Sequence, residues 1–188
     1  MARTESSMIP LGTTAPHFSL WEPLKKRAVR LDDEQGAVAT VIMFICNHCP
    51  FVKHVNAELV KLANDYSHKG ITFLAINAND ASQYPDDSPE HMISIAQELH
   101  YPFPYLYDET QEVAQAYQAA CTPDFFIFNK SLALVYRGQL DDSRPGNGIP
   151  VNGKSIRDTL DCLIQAKPVS ATQKPSIGCG IKWKIEEY

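Results

Sequence analysis

Ala37-Val38-Ala39-Thr40-Val41-Ile42-Met43-Phe44-Ile45-Cys46-Asn47-His48-Cys49-Pro50 is the stretch that decides the fold. Up to Ile45 it is apolar on both alternating faces, the pattern of a central strand covered by helices on each side. Beyond Pro50, the residues Phe51, Val52, Val55, Leu59 and Leu62 recur at helical spacing, and Lys69-Gly70 supplies a stop. Ile71-Thr72-Phe73-Leu74-Ala75-Ile76 then reads as a second buried strand, completing a strand, helix, strand unit of the parallel kind. Two thiols sit where strand hands over to helix. Free backbone N–H groups and the positive end of the helix dipole favour thiolate there, so Cys46 is the candidate nucleophile. Cys49, expected one turn inside the helix, is placed to resolve a mixed disulfide on Cys46.

Downstream, Ser88-Pro89-Glu90 gives an N-cap and a first-turn proline to a helix whose stripe is Met92, Ile95, Ala96 and Leu99. Asp108 and Gln111 resemble a capping box opening a short helix with Val113, Ala114 and Tyr117. Phe125–Phe128 and Leu132–Tyr136 follow as strands, close enough through Asn129-Lys130-Ser131 to form a hairpin. A Gly/Pro/Asp-rich loop from Gly138 to Gly153 precedes a last helix from Ser155, with Ile156, Thr159, Leu160, Leu163 and Ile164 inward. Short strands are expected near Phe18 and Val29, while the tail is expected to be irregular. The Tyr101–Tyr107 cluster reads as core and turn.

The chain has 188 residues, 44% of them apolar, enough for one full core and short for two ordinary domains. A single domain over 1–188 is expected, with its core at about 15–166 and its tail at 167–188. A formal charge of −5 with no long Lys/Arg run gives no electrostatic footprint for nucleic acid or an anionic membrane. No apolar run reaches the length of a membrane span, and the polar first residues lack the apolar segment of a secretory signal. Five cysteines is an odd number, and only Cys46 and Cys49 are closely spaced, which fits a secreted disulfide framework poorly. A reducing, cytoplasmic compartment is the expectation, where a C-x-x-C is catalytic or metal-binding more often than structural.

A strand running into C-x-x-C on a helix, with Thr122-Pro123 just before a β-hairpin, resembles the thioredoxin fold. The resemblance implies a central mixed β-sheet flanked by helices, with an N-terminal strand extension. It also implies a cis Pro123 packed beside the redox pair, exposing backbone that aligns an extended substrate. More finely, the chain is similar to the peroxiredoxin-like branch of the alkyl hydroperoxide reductase/thiol-specific antioxidant superfamily. The residues that carry this are Gly12-x-x-Ala15-Pro16-x-Phe18-x-Leu20, Asn77-x-Asn79-Asp80, Tyr84-Pro85-x-Asp87-Ser88-Pro89, Arg137 to Pro145 and Pro175 to Trp183. Two departures stand out. The Thr and Pro that peroxidatic members place three and seven residues before their reactive Cys are here Met43 and Ala39. The buried acid that thioredoxins place six residues before their first Cys is here Thr40.

The expected function is therefore a thiol-disulfide oxidoreductase with an antioxidant or redox-maintenance role. Its substrate would be a disulfide-containing protein or a small thiol or disulfide, re-reduced by an electron-donor thiol, with no cofactor and no metal. His48, if cationic, stabilises the Cys46 thiolate and raises the reduction potential. Cys121, next to Thr122 and Pro123, is either a third redox thiol or a small buried apolar residue. Cys179, in a Gly-flanked segment, is a candidate cap or resolving thiol, and Cys162 is read as structural. Arg137, Asp141, Asp142 and Arg144 read as a mixed-charge loop, at the substrate entrance or simply solvated. The alternatives are a thiol-dependent peroxidase that oxidises Cys46 to sulfenic acid, and a zinc-binding module using Cys46, Cys49, Cys121 and Cys179.

Overall fold

The computed structural model describes residues 3–185. In chain order the elements are β1 (Arg3–Glu5), β2 (Ser19–Glu22), β3 (Arg27–Arg30), α1 (Leu31–Glu34), β4 (Ala39–Phe44), α2 (Pro50–Tyr66) and β5 (Ile71–Asn77). There follow α3 (Pro89–Glu98), β6 (Tyr105–Tyr107), α4 (Glu112–Ala116), β7 (Cys121–Thr122), β8 (Asp124–Asn129), β9 (Leu134–Gly138), α5 (Lys154–Ile164) and β10 (Ile177–Gly180). The principal sheet has the order β3-β2-β6-β5-β4-β8-β9. Its centre, β4, β5 and β6, is parallel, and the outer pairings are antiparallel, so the sheet is mixed and thioredoxin-like. A smaller antiparallel sheet, β1-β10-β7, sits against the end of β4 that leads to Cys46.

Strand β4 is buried along its whole length, and its alternation divides the core. Val41, Met43 and Ile45 join the cluster under α2, α3 and α5, while Ile42 and Phe44 join the cluster with Leu31, Ala114 and Tyr117 on the other face. Full burial of such side chains contributes about 1.5–3 kcal/mol each relative to exposure. Helix α2 turns Val52, Val55, Leu59 and Leu62 into the first cluster, as its spacing dictates.

Several boundaries differ from the sequence expectation for identifiable reasons. Pro50 takes the first helical position, so α2 begins there and Cys49, not Cys46, is the N-cap residue. Gln111 does not close a capping box. Its backbone is left-handed (φ 65°), and Asp108 instead accepts from the N–H of Ala114 at 2.8 Å. The hairpin turn is longer than Asn129-Lys130-Ser131, because Asn129 Oδ1 accepts from the N–H groups of Ser131 and Ala133 and Leu132 is left-handed. Ile164 faces outward, as the last residue of α5. Tyr105–Tyr107 is a strand parallel to β5 rather than a turn. The tail is not wholly irregular, since Ile177–Gly180 forms β10 between β1 and β7.

Arg137 is not a loop residue either. It lies in β9 with its side chain fully excluded from water, 2.9 Å from Asp124 Oδ2 and with its guanidinium over the Phe126 ring. Removing one partner of such a pair leaves an uncompensated buried charge. We expect Arg137→Met to lower stability by about 3–5 kcal/mol, read as a shift of the urea midpoint with an unchanged slope.

Candidate redox site

The site lies where β4 ends, α2 begins and β7 passes. Cys46 Sγ is 3.3 Å from Thr122 Oγ1, and Cys49 Sγ is 3.3 Å from the Thr122 carbonyl oxygen. The Thr122-Pro123 bond is cis. Thus Cys46, Cys49, Thr122 and Pro123, singled out far apart in sequence, come together. Cys179 joins them from β10, with its sulfur 2.9 Å from Cys49 Sγ. Thr122 and Cys179 are direct partners in the β7–β10 register, so backbone pairing sets that approach. A Cβ on Gly178 would lie 2.0 Å from the Thr122 carbonyl oxygen, so only glycine lets the tail come this close.

Cys121 does not complete the group. Its thiol lies 3.7 Å from the Pro123 carbonyl oxygen and near Ser6, Asp124 and Arg137, and burial pushes its pKa up. Cys162 is half-buried on α5. Among the described residues, the set of three or more metal-capable side chains with ligand atoms all within 4.8 Å is Cys46, His48 and Asp87, not the four cysteines of the zinc alternative. Asp141 is buried and accepts from the N–H groups of Ser143, Asn152 and Gly153, so it shapes the 138–153 loop rather than lying solvated. Asp142 does face solvent, paired with Lys174 at 2.8 Å.

Sequence reasoning missed Asp87. Its carboxylate is fully buried beneath the Asn47-His48 dipeptide, taking the Asn47 N–H at 2.7 Å and the Asn79 amide at 2.7 Å. His48 Nδ1 stands 2.5 Å from the same carboxylate. Asn77 donates to the Asp87 carbonyl, and Tyr105 donates to Asn47 Oδ1 at 2.9 Å. The two asparagines quoted after the second strand are therefore the cradle of a buried acid. It lies at the Cys46 end of β4, whereas Thr40 sits at the opposite end of that strand, paired with Thr72. The available signal was Asp87 itself, in a segment shared with the resembled family. His48 is directed at this carboxylate, with its side chain 16% exposed and stacked on Tyr84.

Charge is distributed unevenly over the thiols. Cys49 is lowered to about 5, by the hydrogen bond from Cys46, against the opposing effect of burial, with further help from Cys179, the Val52 N–H and Thr122. Cys46 is raised well above a free thiol, by that same hydrogen bond to Cys49, then by burial and by the negative charge of Asp87. Cys179 is pushed up to about 12 by burial and then by Cys49. The site thus favours a thiolate at the helix cap on Cys49 over one on Cys46 or Cys179.

Comparison with known proteins places the geometry in context. The AhpC/TSA family profile matches residues 11–137. The chain is similar to an uncharacterized conserved protein from Geobacillus kaustophilus, at 65% identity and a TM-score of 0.98, over 100% of this chain and 99% of that one. It is similar to a hypothetical protein from Sinorhizobium meliloti at 43% identity and a TM-score of 0.95, over 97% and 100% respectively. The thioredoxin domain of a thiol-disulfide oxidoreductase from Bacteroides vulgatus shares the fold at a TM-score of 0.59 and 19% identity, over 69% and 89%. No curated protein matches the chain.

A thiolate at the helix cap has a direct signature. In the reduced protein, ultraviolet thiolate absorbance should rise as pH increases through about 5 and vanish below it, because only the deprotonated sulfur absorbs. Cys49→Ser should remove that low-pH step, and a step unchanged by the replacement would assign the charge elsewhere.

Proposed function

The chain belongs to the AhpC/TSA family of thioredoxin-fold redox proteins, and from that premise we propose that it is a thiol-disulfide oxidoreductase with Cys46 as nucleophile and Cys49 as resolving thiol. What carries this reading is the convergence of both sulfurs on Thr122, whose hydroxyl is 3.3 Å from Cys46 Sγ and whose carbonyl oxygen is 3.3 Å from Cys49 Sγ. A proton passing from Cys46 to Cys49 makes the outer sulfur the attacking thiolate without moving net charge out of the site. Cys46 is the outer sulfur, at 2% exposure beside the part-exposed His48, whereas Cys49 is at 0% behind β10. Attack on a substrate disulfide leaves a mixed disulfide on Cys46 and releases one substrate thiol. Cys49, its thiolate favoured by the Val52 N–H, then attacks Cys46 and releases the second. A donor thiol must return the pair to the reduced state, and the cytoplasm is the compartment we propose for that cycle.

Peroxide reduction is the second reading, and one observation favours it. The hydroxyl of Thr122 at 3.3 Å from Cys46 Sγ supplies a hydrogen-bonding group beside the reactive sulfur, although Met43 fills the position from which peroxidatic relatives supply theirs. The two readings rank substrates in opposite order. We expect the reduced protein to reduce a small disulfide faster than hydrogen peroxide or an alkyl hydroperoxide, with Cys46→Ser abolishing both activities. Faster peroxide consumption would select the peroxidase, and undiminished disulfide reduction by Cys46→Ser would remove this assignment altogether.

A further inference from the structure

The edge of β7 beside Pro123, which the fold offers to an extended substrate, is filled by the chain's own tail. β10 runs antiparallel to β7, pairing Cys179 with Thr122 and Gly180 with Cys121, and its other edge is closed by β1 through Arg3, Thr4 and Glu5. This is strand addition from within the molecule, with main-chain bonds fixing register and a side chain delivered to the pocket beyond. The side chain delivered is a thiol. Its sulfur is 2.9 Å from Cys49 Sγ, so the pair has about 0.9 Å to close before reaching a disulfide bond length. Ser176 secures the approach by donating from its hydroxyl to the Pro123 carbonyl and from its N–H to Ser6 Oγ at 2.9 Å.

We propose that Cys179 is a third thiol of the reaction, which takes Cys49 out of the Cys46–Cys49 disulfide and leaves the oxidised protein with a Cys49–Cys179 disulfide and a free Cys46. The inference rests on the thiol-disulfide reading of Cys46 and Cys49. The step is an exchange with no net oxidation. Cys179 loses its proton, its sulfur forms a bond to Cys49 Sγ, the Cys46–Cys49 bond breaks, and Cys46 departs as the thiolate that recovers the proton. Two consequences follow for the site. The electron deficit is stored beneath the tail, away from solvent, while the outer sulfur is restored to its reduced form. The substrates are small disulfides, because β10 occupies the strand edge that a polypeptide would need.

The test is disulfide mapping of the whole, fully reduced chain after an equimolar amount of 2-hydroxyethyl disulfide, quenched with acid and alkylated under denaturing conditions. The expected result is a linked Cys49/Cys179 peptide with Cys46 alkylated. Cys179→Ser should convert this to a Cys46–Cys49 linkage, and Gly178→Ala, which keeps every thiol but drives a Cβ into the Thr122 carbonyl, should also lose the Cys49–Cys179 peptide. Oxidation of the wild type confined to Cys46–Cys49, with Cys179 alkylated, overturns the relay and leaves the oxidoreductase reading standing. A Cys49–Cys179 peptide undiminished in Gly178→Ala overturns the claim that β10 register selects the partner. If no thiol of the wild type is oxidised by the probe, the oxidoreductase reading falls and the relay falls with it.

Discussion

The buried ion pair between Asp124 and Arg137 is the constraint on which the redox end of the molecule depends. Both side chains are fully excluded from water. Burial raises the pKa of Asp124, and Arg137 works against that rise by stabilising the charged carboxylate. Arg137 Nε and Nη1 have no hydrogen-bond partner, although the guanidinium lies over Phe126 at 4.3 Å. An arrangement that leaves donors unmatched in the interior is a poor source of net stability. Its effect is positional. Asp124 accepts the hydroxyl of Ser6 at 2.8 Å and the N–H of Ala120 at 3.4 Å, while Arg137 donates to the Gln118 carbonyl at 2.8 Å. One charge pair thereby ties the segment before β7, the strand after Pro123 and the N-terminal strand into a single unit.

The redox chemistry inherits that rigidity. Ser6, held by Asp124, receives the Ser176 N–H and so fixes where β10 enters, and the β7–β10 register then sets the Cys179 sulfur against Cys49. At the far end of the tail, Asn79 and Gln111 hold Lys182 and Lys184 through backbone hydrogen bonds. Asn79 also donates to Asp87, so the group that closes the tail and the acid beneath Asn47-His48 share a side chain. The tail is therefore anchored on both sides of Cys179. A thiol held at two ends loses little further conformational entropy when it forms a bond, the condition under which exchange between neighbouring sulfurs is fast.

The parts legible in the sequence were those with strong local periodicity or fixed chemical spacing. Ala37–Ile45 as a central strand, the α2 stripe, the second strand at Ile71, the β8–β9 hairpin and the convergence of Cys46, Cys49, Thr122 and Pro123 follow from pattern and resemblance. What stayed hidden was made by pairing over long separations. β7 has two residues and β10 reads Ile-Gly-Cys-Gly, so neither carries a recognisable alternation, and their strand character comes from pairing, of β7 with β10 and of β10 with both β7 and β1. Asp87 looked like one acid in a polar segment, because its burial is created by Asn47, Asn77 and Asn79 from other elements. Arg137 looked like a loop charge because its partner is thirteen residues earlier, across the hairpin.

The helix cap explains why the two cysteines of the motif are not equivalent. Had α2 begun at Asn47, the free N–H groups of its first turn would have served Cys46; with Pro50 at its first position Cys49 is the N-cap, and the Val52 N–H lowers its pKa. Asp87 reinforces the difference, since its negative charge acts on Cys46 and holds a proton there. The site consequently favours the thiolate on Cys49, beneath β10, and the thiol form on Cys46. That polarity limits adventitious oxidation, because the favoured thiolate lies beneath β10 and the other buried sulfur is held as a thiol. In the proposed cycle the proton of Cys46 passes to Cys49, a far smaller rearrangement than displacement of the tail.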